Sequence, residues 1–234
     1  ISRGHPACIR RFRDDFPDMT PRRYDAVIAG ARCAGASTAM LLARQGLKVL
    51  VVDPLERGTD TLSTHALMRA GVLQLHRWGL LDAVRAAGTP PIRTTTFHYA
   101  DEKIEVAIKP RDGVDALYAP RRTVLDPILV EAAVAAGAAV VHGRAVVGLL
   151  RDGSGRVRGA RVAGTDRAEI DVEADLVIGA DGVRSRVARL LQAEVDYAVP
   201  HRAAAIYGYW TDVGLEGNQW FYEKGGAIGT IPTN

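Results

Sequence analysis

The segment Tyr24–Asp53 constrains the fold most. Tyr24–Ala29 (YDAVIA) is a short apolar run that ends on Gly30, as a strand buried on both faces would. Ala34–Gln45 carries Ala, Met and Leu at helical spacing and stops at Gly46, a residue suited to cap the last turn. Lys48–Asp53 (KVLVVD) is a second apolar run. Strand, glycine turn, helix and strand in such close succession make a βαβ unit, whose two strands pair in parallel.

The turn Gly30-Ala31-Arg32-Cys33-Ala34-Gly35 carries a ligand reading. Gly30 permits the sharp exit from the strand, and Gly35 lets the helix lie close to the sheet. Free N–H groups and the positive dipole end at the helix start suit a diphosphate. Asp53 stands 23 residues after Gly30, where a carboxylate can accept ribose hydroxyls. Arg32 replaces the middle glycine of the usual pattern. It narrows the backbone approach and supplies a guanidinium for a phosphate oxygen. Gly30, Arg32, Cys33, Ala34, Gly35 and Asp53 are therefore the expected dinucleotide contacts. Without a ligand, the same residues make only a tight strand–helix turn. A thiol at a helix start can be reactive, but Cys33 reads first as a small buried residue of the turn.

Further along, Thr64–Trp78 and Leu80–Ala87 read as helices, and Thr94–Ala100 and Lys103–Lys109 as extended segments. Arg122–Ala136 is helical, with Pro127 early enough to be tolerated. Arg144–Leu150 and Arg156–Ala163 flank Asp152-Gly153-Ser154-Gly155 and form a hairpin, with Glu169–Val172 as a third antiparallel strand. Leu176–Gly179 reads as a buried strand and Arg184–Leu191 as a short helix. Past Pro200 the aromatics Tyr207, Tyr209, Trp210, Trp220, Phe221 and Tyr222 fall in alternating segments, the texture of a sheet from a second domain.

Composition narrows the class. A chain of 234 residues with 47% hydrophobic and 24% charged residues is globular rather than disordered or collagen-like. Residues 1–23 hold six arginines and three aspartates, while the remaining residues carry 24 basic and 24 acidic side chains. The balanced part has no excess charge with which to neutralise phosphates, so nucleic acid is not an expected partner. Residues 1–23 read as a tail. Met19 is the expected native start, and residues 1–18 are expected to be dispensable for folding and ligand binding. Two cysteines build no disulfide framework, and a cytoplasmic location is expected. No apolar run reaches the ~20 residues of a spanning helix, and no cluster calls for a metal.

A second motif narrows the ligand. Asp175-Leu176-Val177-Ile178-Gly179 runs into Ala180-Asp181-Gly182-Val183-Arg184-Ser185, an apolar strand followed by an Asp-Gly turn and a helix. Together with the first turn it resembles the class A flavoprotein hydroxylases, the para-hydroxybenzoate hydroxylase-like superfamily, over about Tyr24 to Asn234. The resemblance implies FAD as the cofactor, with Asp181 and Gly182 beside its pyrophosphate. It also implies Arg122 as a flavin contact, and Thr64 and His65, within Thr61-Leu62-Ser63-Thr64-His65, in a loop over the cofactor. It names no catalytic side chain.

The implied architecture is α/β: a Rossmann-type FAD-binding domain with a parallel sheet and an antiparallel hairpin layer, plus an incomplete β-rich substrate domain. Residues 24–91 and 120–198 are expected in the first domain, and 92–119 and 199–234 in the second. The implied activity is NAD(P)H- and O2-dependent hydroxylation of a small, electron-rich, often aromatic molecule, with NADH or NADPH as a transient electron donor. The family's later Gly-Asp motif is missing, since no Gly-Asp dipeptide occurs in the chain. The expectation is therefore the N-terminal part of a longer enzyme, which would hold FAD weakly, turn over no substrate and self-associate.

Rival readings differ in later residues. Flavin halogenases resemble Gly-Trp-x-Trp-x-Ile-Pro where this chain has Gly226-Ala227-Ile228-Gly229-Thr230-Ile231-Pro232, without either tryptophan, and no lysine lies between Lys48 and Lys103. Reductases of prenyl-type double bonds share the early motifs and stay open. A plain NAD-dependent dehydrogenase leaves Asp181-Gly182 unexplained, and an FAD-binding module without turnover is the non-enzymatic alternative.

Overall fold

Residues 23–165, 168–199 and 204–234 are described by the computed structural model. The βαβ unit is β1 (Arg23–Ala29), α1 (Cys33–Arg44) and β2 (Val49–Asp53). All five residues of β2 are buried, which explains why its sequence is continuous rather than alternating. Arg23, expected in the tail, is the first residue of β1 and pairs with Asp175 at 2.6 Å; the rest of the expected tail lies outside the described residues.

Contacts divide the chain into two units. The first comprises described residues up to Thr59 and then Asp126–Ala193; the second comprises Asp60–Leu125 and the described residues from Glu194 onward. The expected substrate segments 92–119 and 199–234 begin later on both sides, so the helices after Asp60 group here with the second unit.

The first unit is built on a six-stranded sheet ordered β5-β2-β1-β8-β7-β6. It adds β5 (Ala139–His142), β6 (Arg144–Arg151), β7 (Val157–Gly164) and β8 (Glu169–Gly179). β5, β2, β1 and β8 are mutually parallel, and the hairpin β6–β7 continues the sheet antiparallel along β8. The first half of the α/β fold is thus Rossmann-type. Val27, Ala29, Leu50 and Val52 face a core with Val146, Val162 and Val172. α1 buries Met40 together with Gly35, Ala36, Ala39 and Ala43, and the four small residues let the helix approach the sheet closely.

Three sequence expectations change here. Glu169–Val172 and Leu176–Gly179 are one strand, because β8 pairs antiparallel with β7 at its start and parallel with β1 along its later part. Leu176, expected buried, is 53% exposed. β5 is a strand that four residues of modest patterning did not announce.

The second unit contains α2 (Arg69–Trp78), α3 (Leu81–Ala86) and a sheet ordered β10-β9-β3-β4. Its strands are β3 (Thr94–Tyr99), β4 (Glu102–Ala107), β9 (Asn218–Glu223) and β10 (Gly226–Thr230). The expected helix over Thr64–Trp78 begins only at Arg69. His65 takes φ +59° and the Leu67 N–H bonds the Tyr118 carbonyl at 2.8 Å, so this stretch belongs to a bridge and not to a helix. The aromatics also divide. Trp220, Phe221 and Tyr222 lie on β9, where Phe221 stacks on His98 and Tyr222 on Tyr99 across the parallel β3–β9 pair. Tyr207, Tyr209 and Trp210 lie outside any strand.

The remaining helices are α4 (Arg122–Ala135), with Pro127 inside it, and α5 (Arg186–Leu191). Among the described residues, no helix is long and apolar enough to cross a membrane.

Candidate functional site

The carboxyl ends of four parallel strands lie in register along one edge of the first unit's sheet. His142 stands opposite Asp53, and Ala29 stands opposite both Val52 and Gly179. The chain leaves β1 toward β2 on one side and returns to pair β8 on the other. Open α/β sheets bind ligands outside the strand ends at such a reversal of order.

Close backbone approach fixes this edge. The Gly30 N–H donates to the Val52 carbonyl at 2.7 Å, and the Ala180 N–H donates to the Ala29 carbonyl at 2.8 Å. Gly30 has φ +103°, and a Cβ there would fall 2.4 Å from the Ala180 oxygen. A Cβ on Gly35 would fall 1.8 Å from the Gly30 oxygen. Gly35 is therefore the residue that lets α1 sit directly on the turn. The side chain of Gly30, by contrast, would strike the β8 turn rather than project into a ligand.

Asp53 organises the same turn. Its carboxylate is 5% exposed and accepts from the Ala31 N–H at 2.8 Å and the Leu55 N–H at 2.9 Å. Arg32 is the N-cap of α1 and makes no side-chain cap bond. The Cys33 thiol donates to Asp126 at 3.2 Å, which joins the start of α1 to α4. Cys33 is half-buried rather than buried.

A small cleft opens beside these residues, lined by Ala31, Arg32, Asp53, Arg57, Asp126 and His142. Arg32 Nη1 and His142 Nε2 are among its polar atoms that are buried without a hydrogen-bond partner. His142 Nδ1 bonds the Leu55 carbonyl at 3.0 Å. A carbonyl only accepts, so the proton sits on Nδ1 and Nε2 is a bare acceptor. Buried polar groups are ordinarily satisfied, so a cation and an acceptor left waiting in one cleft fit a missing ligand. The ADP half of FAD matches both, with a diphosphate oxygen for Arg32 and an amino N–H of adenine for His142.

Asp126 and His142 belong to no motif of the sequence. Asp126 could have been found as a carboxylate between Leu125 and Pro127 on a face buried through Leu129. His142 could not, because its strand was not recognised.

Asp181 and Gly182 lie in the turn that follows β8. Asp181 accepts from Ser185 Oγ at 2.6 Å, the Arg186 N–H at 2.6 Å and the Val187 N–H at 3.2 Å. Burial pushes this carboxyl up, but these hydrogen bonds outweigh it and hold it below the ordinary value. The Asp181 carboxylate thus takes the first N–H groups of α5, while Ser185, the N-cap, takes that of Ala188. Gly182 has φ +84° with open space where a Cβ would be.

Thr64, His65 and Arg122 belong to the second unit. Thr64 is exposed, and Arg122 is the first residue of α4. His65 is 7% exposed, and its Nε2 lies 2.5 Å from Tyr209 Oη. Arg121 stacks 4.0 Å above the Tyr209 ring centroid and pairs with Asp60 at 3.2 Å. Burial pushes the His65 imidazole down; Asp60 opposes this, and Arg121 and Arg122 reinforce it. His65 and Tyr209 carry separate signals in the sequence, and no local pattern joins them.

A family model described as an FAD binding domain matches residues 23–223. The chain is 32% identical over 227 residues to the digeranylgeranylglycerophospholipid reductase of Methanosphaerula palustris, covering 86% of this chain and 53% of that protein. It is 33% identical over 184 residues to the kynurenine 3-monooxygenase of Salinispora arenicola, covering 74% and 39%. Its fold is similar to that of a probable FAD-dependent monooxygenase from Pseudomonas aeruginosa, with a TM-score of 0.72 and 21% identity over 91% of this chain and 58% of the other. The chain spans about half the length of the curated relatives it matches. Glycine turn, strand-end cleft and family match agree, and the chain belongs to the FAD-binding domain family of the class A flavin monooxygenases.

Proposed function

We propose that the whole protein is a monooxygenase that uses NADH or NADPH and O2 to hydroxylate a small, aromatic molecule. The observation that supports it most is the pair of buried, unpartnered atoms, Arg32 Nη1 and His142 Nε2, at the strand ends of a matched FAD-binding domain. FAD, when bound, carries electrons between the nicotinamide and oxygen; the protein supplies binding and orientation. Arg32 and the N–H groups of Cys33, Ala34 and Gly35 hold the diphosphate. Asp53 accepts ribose hydroxyls with the lone pairs that Ala31 and Leu55 leave free. Gly30 keeps this loop against Ala180, and Gly182, just after Asp181, leaves room for the pyrophosphate side of the cofactor. By resemblance, Thr64, His65 and Arg122 are also assigned to the flavin side. The balanced charge of residues 24–234 supports a small-molecule partner over nucleic acid, and a cytoplasmic location accords with the cysteine count.

A second reading, reduction of a prenyl-type double bond, is favoured by the 32% identity to the phospholipid reductase. Oxygen consumption decides between them. Full-length protein that oxidises NADPH with matching O2 uptake, stimulated by an aromatic acid, supports the first. Turnover of a prenyl chain under anaerobic conditions supports the second. Flavin binding without either activity leaves a binding module.

A further inference from the structure

His65 occupies a backbone conformation that few non-glycine residues keep. Its φ of +59° is left-handed, and such strain persists where surrounding contacts hold it, often at functional positions. The contact here is with Tyr209. The rings stack with centroids 5.8 Å apart, and Nε2 meets the Tyr209 hydroxyl. The other ring nitrogen, Nδ1, is buried without a partner.

That asymmetry fixes the direction of the bond. A proton on Nδ1 would be a buried donor with nothing to accept it, whereas a bare Nδ1 leaves only a lone pair unmet. The neutral imidazole therefore carries its proton on Nε2 and donates to Tyr209 Oη. The phenolic proton is then turned away from His65. Tyr209 is 45% exposed, so this proton is available to an incoming acceptor. Arg121 lies on the ring face, and its Nε is also buried without a partner. Arg121, paired with Asp60 at 3.2 Å, brings a guanidinium against the ring. Tyr207 packs edge-on against Tyr209 at 6.0 Å, adding an aromatic wall.

We propose that Tyr209 donates its hydroxyl proton in a hydrogen bond to an oxyanion of a small aromatic ligand, a carboxylate or phenolate, and that His65 is the positioning residue that orients it. Only the ligand's role as substrate rests on the monooxygenase reading; the direction of the bond stands apart from it.

The test uses this chain with benzoate as the carboxylate probe and ADP as the diphosphate probe. Nitrogen-detected NMR of the unaltered chain should show Nε2 protonated and Nδ1 bare; the opposite tautomer overturns the proposal. Benzoate should shift the Tyr209 resonances. Tyr209→Phe and His65→Leu should each weaken benzoate roughly tenfold or more, as loss of a hydrogen bond to a charged group does. His65→Gln, whose amide N–H can replace Nε2–H, should stay within about twofold of the parent. ADP affinity should be unchanged in all three. A Tyr209→Phe chain that loses ADP but not benzoate would assign this pair to the cofactor's phosphates and overturn the proposal, as would benzoate that leaves Tyr209 unshifted. Flavin titration of the same samples reports on the monooxygenase reading separately. Should His65→Leu fail to fold, the tautomer and Tyr209→Phe still decide.

Discussion

The two units hold their polar groups by different means. In the first, the strand-end turn is fixed by backbone: Gly30, Gly35, Ala180 and Val52 approach so closely that a Cβ has no room. Arg32 Nη1 and His142 Nε2, buried without partners, line a cleft on that rigid frame. In the second, side chains remote in sequence hold one another: His65 with Tyr209, and Arg121 with Asp60 and Tyr209. A site framed by backbone tolerates loss of a side chain, such as that of Arg32, that frames none of it. A site framed by side chains loses geometry with each one.

The largest effect should separate glycines that face backbone from those that face space. Gly30→Val places a branched side chain at φ +103° against the Ala180 oxygen, and should cost about 3 kcal/mol or more and abolish FAD binding. Gly88 also has positive φ but open space around it. Gly88→Ala should cost only the left-handed penalty of about 1–2 kcal/mol. Urea unfolding measures both; equal midpoints for the two variants would break the contrast.

Next come Arg32 and Asp53, two of the charges that line the cleft. Arg32→Ala should weaken FAD roughly tenfold to a hundredfold and shift stability by less than about 0.5 kcal/mol, since Nη1 bonds nothing in the protein. Asp53→Ala should weaken FAD comparably and also destabilise the fold by about 1–3 kcal/mol, because the Ala31 and Leu55 N–H groups lose their acceptor. Titration calorimetry beside urea unfolding distinguishes binding from framing; a stability loss in Arg32→Ala would show that it is part of the frame.

A smaller effect is expected from pH. The folded His65 value is depressed, so the unfolded chain takes up its proton first as pH falls below 6.5. Stability from this group is present above that pH and declines as pH falls through the folded value. His65→Gln should flatten that part of the profile. The groups facing the imidazole are Asp60, Arg121, Arg122 and Tyr209. The smallest change is expected at the exposed pair Arg161–Asp171: Arg161→Ala should leave the urea midpoint essentially where it is, because solvent screens an exposed ion pair.

The legibility of the chain follows the same division. The βαβ unit could be read because strands buried on both faces leave unbroken apolar runs, and because Gly30 and Gly35 stand where the backbone must pass. β5 was lost because its four residues end on His142 and are only half-buried. The helix expected at Thr64 failed because local pattern does not register a left-handed His65 or the Leu67–Tyr118 bridge. Tyr209 and His65 are 144 positions apart; no periodicity links them, and only folding makes them neighbours.

The central claim, that the strand-end cleft of the first unit holds the ADP half of FAD, is tested most directly by NMR titration with ADP. ADP should shift the amides of residues 30–35, the Asp53 carboxylate and the bare Nε2 of His142. Arg32→Ala should bind at least roughly tenfold more weakly with the fold intact. Shifts confined to other residues, or an undiminished affinity in the Arg32→Ala chain, would contradict it.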